Sequence, residues 1–308
     1  MFLQYFSIIT LFILSKLNFG QGQTILDQNL LRSTYSSYDS ATSISFTGKS
    51  ISHIDHNTFA GVKSVQTIDL SNNAITVISQ AFNPFYYYLV YTSTSKDPYN
   101  CFNTGVGTFI RCAPGTHFDS LSTINLSNNK ISHIDMDSML GTVCETLDLS
   151  HNSLTKLVFN QLFSTFSPVY PKSRLRKLYL NNNQLTDISG LFTQLTYSYS
   201  NLTHINLSYN KLTQITSSTF SKVTSLTHLY LNNNNINAID SNSFVGLVNL
   251  RQLHFYNNPF YLENGSLSQI LQYLQLCTQA NNLCFVCSNS SCSKSLASLY
   301  TIAKKRIF

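Results

Sequence analysis

Charge is what this chain has least of. Asp, Glu, Lys and Arg make up 10% of its 308 residues, against about a quarter in ordinary soluble domains. The net charge of +6 is dispersed, and the one basic cluster, Lys304, Lys305 and Arg306, lies at the extreme terminus. No Lys/Arg stripe runs along the chain, which argues against nucleic acid as a partner. Long hydrophobic runs are scarce as well. The stretch from Phe2 to Leu14 is largely apolar but broken by Gln4, Ser7 and Thr10. That is too short for a bilayer span and suits the core of a secretory signal peptide. Its positive charge, Lys16, follows the run rather than preceding it. The expectation is a signal peptide over 1–22, cleaved near Gly20 or Gly22, with a retained signal anchor as the alternative. No later stretch approaches transmembrane length, and no hydrophobic tail follows the basic cluster to mark a lipid anchor. The chain therefore reads as secreted and extracellular, with no membrane span beyond the signal peptide. Cysteine is absent before Cys101, so residues 23–40 have to close the N-terminal end without disulfides. A nucleophile elbow and a phosphate loop are missing too, and Gly105-x-Gly107 is too sparse to hold a nucleotide. No enzyme, no cofactor and no metal are expected.

What is present is a repeat. From Ser225 to Leu247 the apolar residues are Leu226, Leu229, Leu231, Ile236, Ile239, Phe244 and Leu247. The spacing starts as a strand's, then widens, which fits one solenoid coil better than any single helix or strand. The equivalents of Leu229 are Ile44, Ile68, Ile124, Leu147, Leu178, Ile205 and Leu253, spaced 24, 56, 23, 31, 27, 24 and 24 residues along the series. Two residues later stand Phe46, Leu70, Leu126, Leu149, Leu180, Leu207, Leu231 and Phe255. Three further on come Asn73, Asn129, Asn152, Asn183, Asn210, Asn234 and Asn258, with Lys49 as the departure. Asparagine carries both a donor and an acceptor, so it can satisfy backbone groups in a turn closed to water. Stacked coils would form an asparagine ladder.

This phase matches the L-x-x-L-x-L-x-x-N-x-L pattern, and the chain resembles extracellular leucine-rich repeat proteins with units of roughly 24 residues. Phe59, Phe220 and Phe244 occupy the phenylalanine position of that type, with Met139 as a substitute. The resemblance covers 41–258. It implies an α/β solenoid: a leucine-rich repeat horseshoe with about eight short parallel concave strands and irregular or short helical convex limbs. It further implies a recognition module whose concave face binds an extracellular protein partner, without chemistry. A pattern-recognition role toward microbial glycan or lipid, or a structural matrix role, are the alternatives.

The long spacing between Ile68 and Ile124 holds an insertion at about 83–118 that includes Tyr86-Tyr87-Tyr88 and is bracketed at its tip by Cys101 and Cys112. A disulfide between those two would staple it. Cys144 takes the first inward position of its coil, which makes it a core thiol. Cys277, Cys284, Cys287 and Cys292 cluster after the last repeat. In an oxidising compartment they form two disulfides in one of three pairings, whereas in the cytosol Cys284-x-x-Cys287 would suggest zinc. Residues 259–295, with an amphipathic pattern from Leu267 to Leu276, resemble the cysteine-rich C-terminal caps of the family. They differ in lacking cysteines just after Asn258-Pro259-Phe260. A basic tail, 296–308, follows.

Positions alternating with the inward residues face the concave side. Early in the chain they are small or acidic: Ser43, Ser45, Thr67, Asp69, Thr123 and Asn125, then Glu145 and Asp148. Later come Arg176, Lys177, Tyr179, His204 and Tyr209. His228, Tyr230, Arg251, His254 and Tyr256 complete the gradient. Aromatic and basic residues bury area while keeping a polar tip, so these ten are the candidate partner-binding set. His204 and His228 share a place in consecutive strands; a shared metal or a pH response is one reading, two unrelated solvated histidines the plainer one. Sequons at Asn125, Asn201, Asn206, Asn264 and Asn289 are candidate glycosylation sites, Asn125 and Asn206 on the concave face.

Overall fold

The computed structural model describes, with side chains, residues 24–55, 58–59, 62, 64–79, 82, 120–135, 144–157, 174–192, 201–240, 243–244, 246–254 and 257–259. For 101–103, 110–112 and 285–287 it describes the backbone. The chain opens with β1 (Thr24–Leu26) and α1 (Gln28–Thr34), followed by β2 (Ser43–Ser45), β3 (Ile51–Ile54), β4 (Thr67–Asp69) and β5 (Val77–Ile78). A hairpin, β6 (Cys101–Asn103) and β7 (Ile110–Cys112), precedes β8 (Thr123–Asn125), β9 (His133–Ile134), β10 (Thr146–Asp148) and β11 (Lys177–Tyr179). The one-turn helix α2 (Ser189–Phe192) leads to β12 (His204–Asn206), β13 (Gln214–Ile215), β14 (His228–Tyr230), β15 (Ala238–Ile239), β16 (Gln252–His254) and β17 (Phe285–Cys287).

One parallel sheet runs β2-β4-β8-β10-β11-β12-β14-β16-β17. Its first eight strands are the eight units read from the sequence. The central residue of each, from Ile44 to Leu253, is at most 2% exposed, and successive central residues pair directly across the sheet. A coil's apolar side is thus covered by its neighbours, and the interior is one continuous core. On the return limbs the described elements are mostly extended: β5 pairs with β9, β13 with β15, and β1 with β3.

The ladder asparagines join coil to coil. Asn183 Nδ2 donates to Leu180 O of its own coil (3.1 Å) and to Leu149 O of the preceding one (2.9 Å), while its Oδ1 accepts from Leu154 N at 3.0 Å. Asn73, Asn129, Asn152, Asn210 and Asn234 repeat the pattern. Asn258 reaches back to Leu231 O and Ile236 N. The residue before each ladder asparagine is left-handed, with φ between 54° and 57° at Asn72, Asn128, His151, Asn182, Tyr209, Asn233 and Asn257. Asparagine tolerates that region better than most side chains, which explains its frequency there. In the first unit Gly48 takes this place (φ 66°) and Lys49 follows it. Lys49 supplies no ladder side chain; its N–H and that of Ile51 donate to Asn73 Oδ1 at 2.9 and 3.0 Å.

Phe59, Phe220 and Phe244 are buried as expected, and Phe82 and Phe192 join them. Phe59 stacks on Phe82 (centroids 5.2 Å), and Phe220 lies 6.2 Å from Phe192 and 6.3 Å from Phe244. Phe82 and Phe192 fall one residue short of the repeat phase, which hid them in the sequence. Met139 lies outside the described residues.

The two ends close differently. Asp27 caps α1 by accepting from Leu30 N at 2.8 Å, and Leu26 and Leu31 are fully buried over the first coil. β2 is the sheet's free edge. There the Tyr35 hydroxyl accepts from Ser45 N (2.7 Å) and donates to Ser45 O (3.1 Å), satisfying the two groups a further strand would have bonded. That is how an N-terminal end without cysteines is closed. At the other end β17 adds a ninth parallel strand, pairing Leu253 with Val286. The amphipathic stretch from Leu267 to Leu276 lies outside the described residues, as do Cys277, Cys284 and Cys292. In the insertion, β6 and β7 are antiparallel with Cys101 directly opposite Cys112 in backbone register. Cys144 is fully buried, and burial pushes its thiol pKa well above the usual range.

Candidate concave recognition surface

Three-residue strands put two side chains each on the concave face, and the register aligns them in two rows. The first row reads Ser43, Thr67, Thr123, Thr146, Lys177, His204, His228 and Gln252. The second reads Ser45, Asp69, Asn125, Asp148, Tyr179, Asn206, Tyr230 and His254. Lys177, Tyr179, His204, His228, Tyr230 and His254 therefore come together on β11 to β16.

Arg176, Arg251 and Tyr209 sit elsewhere than on these rows. Arg176 and Arg251 precede their strands, as Glu145 does. At that place the backbone bends: Glu145 O accepts from both Arg176 N and Lys177 N, Arg176 O from Thr203 N and His204 N, and Thr227 O from Arg251 N and Gln252 N. A carbonyl that takes two consecutive N–H groups breaks the period-2 alternation, so these residues stand beside the two rows, with Arg251 still near enough to act on His228. Arg176 and Arg174 approach Glu145 at 4.0 and 3.4 Å. Tyr209 lies beyond β12 in a turn at φ 55°, with 53% of its surface exposed. Tyr256 lies outside the described residues. The alternation counted from Leu253 and Leu147 would have found Gln252 and Thr146, the two row members missing from the concave positions read in the sequence.

His204 and His228 are not unrelated solvated side chains. Their rings stack 4.0 Å apart and 9° from parallel. Each Nδ1 meets the hydroxyl of the preceding threonine, Thr203 at 2.9 Å and Thr227 at 2.8 Å. Burial, then the neighbouring His228 and Lys177, lower the His204 pKa to about 4. Burial and Arg251 lower that of His228, and burial and His228 that of His254. The stack is accordingly neutral at physiological pH. Near-parallel rings aim their outer nitrogens side by side rather than at one point. Among the described residues no group of three His, Cys, Asp or Glu is placed to hold a metal.

Tyr230 lies against His254, ring centroids 4.5 Å apart, and its hydroxyl donates to Gln252 Oε1 at 3.3 Å. Burial raises the pKa of both Tyr230 and Tyr179, with Tyr179 adding to the shift at Tyr230 and Asp148 to that at Tyr179. Asn206 stands between the two tyrosines in the row. Its Oδ1 accepts from Ser208 N (3.1 Å) and Ser208 Oγ (2.7 Å), closing the turn after the strand. Asp69, Asn125 and Asp148 close their turns likewise by accepting from the backbone N–H of Ser71, Ser127 and Ser150. The sequon asparagines Asn125 and Asn206 thus also serve the turn. Asn201 is exposed in a turn, while Asn264 and Asn289 lie outside the described residues.

Three family models match the chain: leucine rich repeat over 200–260, a two-copy leucine rich repeat over 173–221, and the BspA type leucine rich repeat region over 28–167. Human podocan-like protein 1 is 33% identical over 97 residues, 32% of this chain and 17% of that protein. The chain thus matches only a small part of that relative's length. Among solved structures, the TLR13–ssRNA13 complex is similar with a TM-score of 0.54 and 21% identity, covering 74% of this chain and 27% of that one. The Toll–Spatzle complex of Drosophila gives 0.51 and 22%, covering 82% and 31%. Internalin C2 of Listeria monocytogenes gives 0.51 and 18%, covering 82% and 83%. At these identities the structures speak for the fold alone. Together with the eight-unit phase, the asparagine ladder and the parallel sheet, these matches make the chain a member of the leucine-rich repeat proteins.

Proposed function

We propose that this chain is a secreted recognition module that binds a protein partner through the C-terminal half of its concave face and performs no chemistry. The observation that carries this reading is the patch on β11 to β16. Two half-buried tyrosines, three histidines and a lysine are gathered there on a rigid sheet, where the fold itself needs none of them. Aromatic side chains held in place bind with little loss of conformational freedom. That two similar structures are complexes with a partner, Spatzle and ssRNA13, is in keeping with recognition. Secretion rests on the apolar N-terminal stretch as a signal peptide over 1–22, followed by an N-terminal cap to 40, repeats over 41–258, a C-terminal cap over 259–295 and a basic tail. No described helix is long and apolar enough to cross a membrane. Oxidation would pair Cys101 with Cys112 and the four late cysteines among themselves, with glycans on the sequons.

The test is capture of extracellular proteins by the mature chain, repeated with Tyr230→Ala and Asp69→Ala. Loss with the first and retention with the second is expected. Equal losses would spread the site over the whole arc, and a loss only on deleting 83–118 would move it off the sheet.

A further inference from the structure

The stacked histidines lie in surroundings that are complete in every respect but one. Facing them are Lys177 and Tyr179 from β11, and Tyr230 and His254 from β14 and β16. Arg176 and Arg251 stand at the bends ahead of β11 and β16. No concave position from β11 to β16 is acidic. Asp148, on β10, is two strands from His204, about 10 Å by sheet spacing. Neither Lys177 nor Arg251 forms an ion pair among the described residues. Arg176 already meets Glu145 at 4.0 Å, so His204, His228, Lys177 and Arg251 are the donors and cations left without an anion among the described residues.

We propose that His204, His228, Lys177 and Arg251 form a carboxylate-binding subsite, occupied by an acidic segment of the protein partner, which brings a solvent proton onto the imidazole pair as it docks. This deepens the recognition reading above and rests on it. Two protonated rings 4.0 Å apart repel each other, and Lys177 and Arg251 add to that repulsion. In the unbound protein the rings therefore stay neutral. A carboxylate set over them reverses the sign of the local potential and makes the charged form favourable, so the bound state holds a proton that the unbound state lacks. Binding then tightens as pH falls, by up to about tenfold per pH unit for one proton, until the unbound pair itself begins to protonate. The segment's Asp and Glu side chains remain ionised through most of that range. Tyr179 and Tyr230 alongside supply apolar area for the residues flanking the acid.

The probe is a polyglutamate peptide of about ten residues, titrated calorimetrically at about pH 7.5 and about pH 5.5 in buffers of different ionisation heat. Tighter binding at the lower pH by roughly fivefold or more, with net proton uptake, is expected. The His204→Gln/His228→Gln variant should bind with no pH dependence and keep its thermal stability at neutral pH. Lys177→Ala, which leaves the rings in place, should weaken binding at both pH values while keeping the slope. Equal affinity at the two pH values, or a slope that survives loss of both histidines, overturns the inference. So does tighter, histidine-dependent binding of a heparin-type sulfated oligosaccharide or of oligouridylate, which would make the subsite one for sulfate or phosphate. Failure here is distinguishable from failure of the recognition reading. A captured partner lost with Tyr230→Ala but indifferent to pH and to both histidines sinks only the subsite. A partner that ignores Tyr230→Ala sinks the concave reading itself.

Discussion

The two halves of the concave sheet share one scaffold and differ in almost everything laid upon it. From β2 to β10 the rows hold serine, threonine, asparagine and aspartate; from β11 to β16 they hold tyrosine, histidine, lysine and glutamine, with Asn206 as the single asparagine. Beneath both, the central residue is an Ile or Leu at most 2% exposed, and the same asparagine bonds join coil to coil. Position Asp148 and position Tyr230 are equivalent in the fold, yet the first carboxylate serves its own turn and the second ring packs on a neighbouring histidine. The concave side chains are therefore free to vary without cost to the core. An aromatic cluster on one half alone is a property of the surface, not of the repeat.

The comparison is broken most severely by striking what the halves share. Leu207→Asp puts a charge into the continuous core at a fully buried site and should unfold the repeat region, seen as loss of the cooperative thermal transition. Asn183→Ala strands Leu154 N and two carbonyls and should cost about 3 kcal/mol in denaturant unfolding. If it cost no more than a concave substitution such as Asp69→Ala, the ladder would not be the shared support claimed for it. On the surface, Tyr230→Ala should lower partner affinity by about 2 kcal/mol or more, with Asp69→Ala near neutral. A glycan on Asn206 would stand between Tyr179 and Tyr230, so glycopeptide mapping belongs before that measurement. Full occupancy would redirect the search to the insertion.

Smaller effects sharpen the contrast further. Tyr35→Phe removes the hydroxyl that plugs the β2 edge and should cost about 1 kcal/mol, with faster hydrogen exchange at Ser45 N. On the C-terminal half the stacked histidines give stability a response to mild acid. Their folded pKa values lie below the unfolded 6.5, so the unfolded chain binds protons first and stability falls as pH drops from 6.5 towards about 4. His204→Gln should flatten that part of the melting temperature against pH profile, and an unchanged profile would show that the stack is not its source.

Much of this was legible in the residues. The inward leucines, the asparagine ladder, the buried Cys144 and the polar-to-aromatic gradient all follow from one phase, because each repeats at a fixed offset from a marker. Arg176, Arg251 and Tyr209 stand beside the two strand rows rather than in them, which the same counting did not separate. Alternation holds for only three residues here, and the carbonyl that accepts two N–H groups ends it. The ring contact of His204 with His228 could be anticipated as adjacency but not as a stack, since side-chain rotation is set by the threonine beside each ring.

The sequence by itself determined the coil, its core and its number of repeats, because burial demands apolar residues at regular intervals and the backbone turn demands asparagine. Only the tertiary structure decided what happens where periodicity stops. Tyr35 reaches the sheet edge from a helix ten residues away, β17 extends the sheet past the last repeat, and Asn206 separates two tyrosines that the chain lists a unit apart from it. Those contacts join residues that no periodic pattern relates, so they come into being only when the coils stack.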